Sequence, residues 1–115
     1  MGGEDSGTRK NDVWSSTNGS LWIRETEHAT WPARSNHASA VFNGKLWVMG
    51  GMDEFGTAIK DVWFSADGRT WTEETSSPNW SVRYGHSAEV FNNKVWVLGG
   101  NAQGDLKRDV WYFGQ

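Results

Sequence analysis

No cysteine occurs among the 115 residues. That excludes disulfides and thiolate metal sites and leaves the redox compartment, and with it the localisation, undetermined. Proline is nearly as scarce, at two residues, and only 37% of the chain is hydrophobic. No apolar run approaches the ~20 residues that a membrane-spanning helix needs. Charge is modest too. A net charge of −3 and a pI near 5.5 give no basic footprint for nucleic acid or an anionic membrane. The first ten residues, MGGEDSGTRK, are polar and are not expected to act as a signal peptide.

What the chain does have is repetition. His37–Gly51, HASAVFNGKLWVMGG, returns as His86–Gly100, HSAEVFNNKVWVLGG. Aligning residues 12–51 with 61–100 leaves 19 of 40 positions identical. Asp-Val-Trp occurs three times, at 12–14, 61–63 and 109–111, and Arg34 and His37 match Arg83 and His86. All nine tryptophans fall into equivalent sets: 14/63/111, 22/71, 31/80 and 47/96. A period in the range of 20–50 residues means stacked supersecondary units, none of which buries its apolar faces alone.

Each unit reads as four strands. His37–Phe42, Lys45–Gly50, Asp61–Ser65 and Arg69–Thr75 are expected to be strands, with turns at 43–44 and 67–68. The same pattern puts turns at 18–19 and 92–93; the Asn-Gly and Asp-Gly pairs at 18–19, 43–44 and 67–68 tolerate the positive φ of tight hairpins. Residues 51–60 and 101–108 are expected to be long loops. The whole chain, 1–115, divides into the end of a preceding blade with its linker (2–36), a complete blade (37–75), a linker (76–85) and an incomplete blade (86–115). Leu46 to Met49 are apolar on both faces, which places that strand between two neighbouring sheets. No segment has a helical period. The fold class is all-β, and four-stranded units that grow more polar outward suit the blades of a β-propeller.

A strand ending in Gly-Gly, a variable loop, Asp-Val-Trp and a tryptophan eight residues on resemble the kelch repeat. The closest likeness is to the bacterial variant with D-V-W-x-S-x-D-G-x-x-W. The resemblance covers essentially the whole chain and implies kelch-type propeller blades, although such propellers usually have six or seven and this chain holds barely more than two.

Function tends to sit on variable loops held by a rigid scaffold. The linkers and long loops share one end of the blades, so that face is the candidate surface. Arg34 and Arg83 could form a carboxylate-binding ring there, since guanidinium offers a forked pair of donors. The preferred reading is structural, with each R-x-x-H tying a linker to its next strand. Trp31 and Trp80 are kept as candidates because they lie in the linkers, while the recurring tryptophans as a class are expected to pack between blades. Asp53, Glu54 and Tyr84 are candidates because they differ between repeats. No catalytic constellation, metal site or cofactor is expected.

Three functions compete. The leading one is a non-enzymatic module that presents loops to a protein, peptide or glycan. A fragment of a carbohydrate-active enzyme, by resemblance to sialic-acid mutarotases, is the second. The third is a self-assembling propeller fragment, with three chains closing a six-bladed ring as a homo-oligomer. Against the ring, Gly-Gly through Asp-Val-Trp occurs near both ends, and one copy would have to be displaced. A slice of a longer propeller is the reading slightly preferred over the ring.

Overall fold

The computed structural model describes residues 1–114. All regular structure among them is β, as expected. A small hairpin, β1 (Glu4–Asp5) with β2 (Thr8–Arg9), precedes a two-stranded sheet of β3 (Val13–Ser15) and β4 (Ile23–Thr26). After β5 (Arg34–Ser35) comes a complete antiparallel blade in chain order: β6 (Ala38–Phe42), β7 (Lys45–Asp53), β8 (Ala58–Ser65) and β9 (Thr72–Thr75). The last sheet pairs β10 (Ser87–Phe91) with β11 (Lys94–Leu98), interrupted by a second small hairpin, β12 (Asn101–Ala102) with β13 (Asp105–Leu106). It ends in β14 (Val110–Gly114), which pairs with β11.

Nine of these strands are the ones the repeat predicts. Three expectations need correction. Residues 101–108 are not one long loop but hold the β12–β13 hairpin. Residues 51–60 are not a loop: β7 runs on through Gly50-Gly51 to Asp53 and turns back at 54–57 into β8. Gly50 and Gly51 have φ of +62° and +103°. The backbone bulges between Met49 and Gly51, and pairing then resumes. The third-to-fourth strand connections are also longer than two residues, because a side-chain-capped loop replaces the tight hairpin. Ser65 Oγ accepts from the backbone N–H groups of Asp67 and Gly68, and Asp67 Oδ1 accepts from those of Arg69 and Thr70. Ser16 and Asn18 repeat the arrangement. The two-residue turns at 43–44 and 92–93 are present.

Apolar side chains fill two layers between successive sheets. Val13, Ala29, Trp31, Val48 and Trp71 form the first, and Trp47, Met49, Val62, Trp80, Val95 and Val97 the second. Alternate residues of β7 go to opposite layers, which is why that strand is apolar on both faces. Outermost β9, of sequence TEET, is mostly solvent-exposed.

Candidate functional site

The two recurring arginines lie inside the blades. Arg34 is fully buried, and its guanidinium makes a forked pair of bonds to Asp61, at 2.6 and 2.9 Å. It also donates to the carbonyls of Gly50 and Pro32, at 2.9 and 3.1 Å. Arg83 repeats this with Asp109 at 2.8 and 2.9 Å, Gly99 O at 2.9 Å and Ser81 O at 3.2 Å. Each carboxylate also accepts from the indole two residues on, Trp63 or Trp111. Arg83's hydrogen bonds, followed by that of Trp111, hold the Asp109 carboxyl well below the usual carboxylate range. Trp31 and Trp80 are buried beneath the guanidinium groups, with Cζ 5.5 and 5.8 Å from the ring centroids. These four candidates form two copies of one internal brace. The arrangement supports the structural reading of the arginines and sets a guanidinium over one face of each indole.

The histidines extend the brace from blade to blade. His86 Nε2 donates to the Met49 carbonyl of the preceding sheet at 3.0 Å, and His37 stands in the equivalent place against Gly2. Burial, with Arg34 and the N-terminal amine next, pushes His37 down to about 4. His86 is likewise pushed down to about 4, chiefly by burial and then by Arg83. Both are therefore neutral at pH 7, and His86 donates through Nε2–H, since its carbonyl partner can only accept. Their rings leave no room for a side chain at the facing glycines. A Cβ on Gly50 would stand 2.9 Å from His86 Cε1.

Of the remaining candidates, Asp53 and Glu54 sit at the β7–β8 hairpin tip and Tyr84 in the linker before β10. Asp53 Oδ1 accepts from the backbone N–H groups of Phe55 and Thr57, so one oxygen is occupied in shaping its own turn. Glu54 beside it is exposed. Gln103 Oε1 accepts from Ala58 N–H and ties the β12–β13 hairpin to β8. Tyr84 exchanges backbone hydrogen bonds with Asn101 and lines an open groove of about 560 Å³ together with Asn36, Leu106 and Lys107. The most exposed large apolar side chains on this face are Phe55 at 82% and Leu106 at 78%. Sequence reasoning selects the carboxylates of the variable Met52–Phe55 stretch over Phe55. An apolar residue in a loop between glycine-flanked strands was the signal available. Among the described residues, no three His, Asp or Glu side chains converge on one point.

A family model described as DUF6242 beta propeller domain matches residues 1–112. No curated protein matches the chain.

Proposed function

The chain belongs to the DUF6242 beta propeller domain family, and on that premise we propose a non-enzymatic binding module whose hairpin tips grip a polypeptide partner. The repeat itself we read as kelch-type, on the spacing of Gly-Gly, Asp-Val-Trp and the following tryptophan. The observation that carries the binding reading is the exposure of Phe55 and Leu106 on the same face as the Tyr84 groove. Solvent-facing apolar groups on rigid, hydrogen-bonded tips are suited to anchoring in a partner's pockets. A polypeptide is favoured over a glycan because Trp31 and Trp80, at 0% and 5% exposure, are packed inside the blades and not presented on the loop face as sugar platforms. No acid–base pair supports the mutarotase-like alternative, since Arg34 and Arg83 are held by their own aspartates.

Selection from a random peptide library on the immobilised protein, run beside a glycan array and a sialic-acid mutarotation assay, tests this. Enriched peptides should lose at least about tenfold in affinity to the Phe55→Ser/Leu106→Ser double variant, the loss of two apolar anchors. Glycan binding or mutarotation without peptide enrichment would overturn the reading.

A further inference from the structure

Away from the hairpin tips the chain carries a second kind of chemistry. Asn-Gly occurs twice, at 18–19 and 43–44. In such a pair the glycine backbone nitrogen can attack the asparagine side-chain carbon Cγ, because no Cβ on the glycine crowds the approach. The N–Cγ bond forms, the Cγ–Nδ2 bond breaks, and Nδ2 leaves as ammonia with the proton given up by the glycine nitrogen. Water then opens the cyclic imide at either carbonyl, giving aspartate or its β-linked isomer. Both pairs have the same two residues, so the fold decides which of them can react.

At Asn18 both reacting groups are engaged. Gly19 N–H donates to Ser16 Oγ at 2.8 Å, and Asn18 Oδ1 accepts from the N–H groups of Ser20 and Leu21 at 2.9 and 3.0 Å. Ring closure has to break these bonds first. Ser65 guards the Asp67-Gly68 pair in the same way, accepting from Gly68 N–H at 2.8 Å. Asn43-Gly44 has no such cap. Both residues are exposed, and neither the Asn43 side chain nor Gly44 N–H has a hydrogen-bond partner among the described residues. A Cβ on Gly44 would find nothing within 4 Å, so the attacking nitrogen stands in open space.

We propose that Asn43 is a site of spontaneous deamidation and that Ser16 shields Asn18 from the same reaction. The site lies at the opposite end of β7 from Asp53 and the hairpin tip, so the inference goes beyond the binding reading. Its product matters because the turn is short. Asn43 and Gly44, at φ of +55° and +73°, alone join β6 to β7. A turn of that length fixes the pairing of Phe42 with Lys45. A β-linked residue puts one more carbon into the main chain than this register allows. The strain falls on Phe42, whose carbonyl also accepts from Nε1–H of Trp47, a member of the second core layer, at 3.0 Å. The equivalent turn of the last sheet, Asn92-Asn93, has the same conformation without the glycine, at φ of +54° and +64°. Asparagine therefore fits where Gly44 stands, and the turn can be built without the reactive pair.

Peptide mapping by mass spectrometry, on the folded protein held in mildly alkaline buffer, tests this. The peptide spanning 43–44 should gain about one dalton, as an amide becomes a carboxylic acid, and should become a substrate for an isoaspartyl methyltransferase. The peptide spanning 18–19 should change at least about tenfold more slowly, since one or two hydrogen bonds must open before its ring can close. In denaturing urea that difference should disappear. Ser16→Ala should speed the change at Asn18 and leave that at Asn43 as it was, and Gly44→Asn should fold normally and slow the change at Asn43. A folded wild type in which Asn43 keeps its mass, or in which Asn18 changes as fast as Asn43, overturns the proposal. So does a difference that persists in urea, or a folded Ser16→Ala protein whose Asn18 is no faster. If Ser16→Ala does not fold, the native and urea-treated wild type decide between these outcomes on their own.

Discussion

A guanidinium removed from water needs a counter-charge and acceptors, and Arg34 finds both within its own blade. Removing one partner of such a pair leaves the other stranded. Arg34→Ala should therefore cost about 3–5 kcal/mol, because Asp61 is itself largely buried. Trp47→Ala should cost a similar amount, about 3–5 kcal/mol, for an indole packed against Phe64 and Phe113 at 5.2 Å. Arg34→Lys should not rescue, since an ammonium cannot fork across two carboxylate oxygens. Urea unfolding followed by tryptophan fluorescence measures all three. A loss below about 1 kcal/mol for Arg34→Ala would return that side chain to the list of ligand-binding candidates. Recurrence made the brace legible in the sequence, since Arg34, Asp61 and Trp63 each reappear as Arg83, Asp109 and Trp111. What recurrence could not say is which aspartate meets which arginine. That pairing spans 27 positions in one copy and 26 in the other, and only the strand register closes the gap.

The strands themselves were readable wherever apolar and β-branched runs flank a tight turn, as Val41-Phe42 and Leu46–Met49 flank Asn43-Gly44. Gly50-Gly51 misled because a glycine pair usually marks the end of a strand. Here it carries the strand around a bulge that a side chain would block. A Cβ on Gly51 would lie 2.8 Å from both Ser35 O and His37 Cβ, at a φ of +103°. Gly56, at the hairpin tip, shares a positive φ of +78° but has nothing within 4 Å. Gly56→Ala should thus cost only the left-handed backbone penalty, about 1–2 kcal/mol. Gly51→Ala adds overpacking against backbone and should cost about 3 kcal/mol or more. Thermal unfolding of the two variants side by side checks the difference, and equal losses would mean that the close approach at Gly51 is not what the glycine serves. The candidate surface was less legible than the strands. Which face holds the loops follows from strand direction, but which tip residues stand free depends on turn hydrogen bonds such as that of Asp53 Oδ1 to Phe55 N–H.

Across the whole chain, sheet joins sheet through apolar layers and through two histidines, and those histidines make cohesion depend on pH. Each is held down to about 4 by burial, against an ordinary imidazole value of 6.5. Between those values the unfolded chain binds more protons than the folded one, so stability rises with pH. The contribution is complete above about pH 6.5 and is lost as pH falls, fully so near 4. For each histidine the difference amounts to about 3 kcal/mol. The carboxylates held below their usual values, Asp109, Glu25 and Asp67, lose their contribution only at lower pH. Urea midpoints at about pH 7.5, 6 and 5 sample the histidine window, and they should fall steadily for the wild type. In the His37→Gln/His86→Gln variant the amide at position 86 keeps a donor toward the Met49 carbonyl and neither amide can take up the proton, so its midpoints should stay nearly level over the same range. A wild-type midpoint that does not move between pH 7.5 and 5 would show that the rings are charged, or solvated, where the structure buries them neutral, and the blade-to-blade brace would then have to rest on the apolar layers alone.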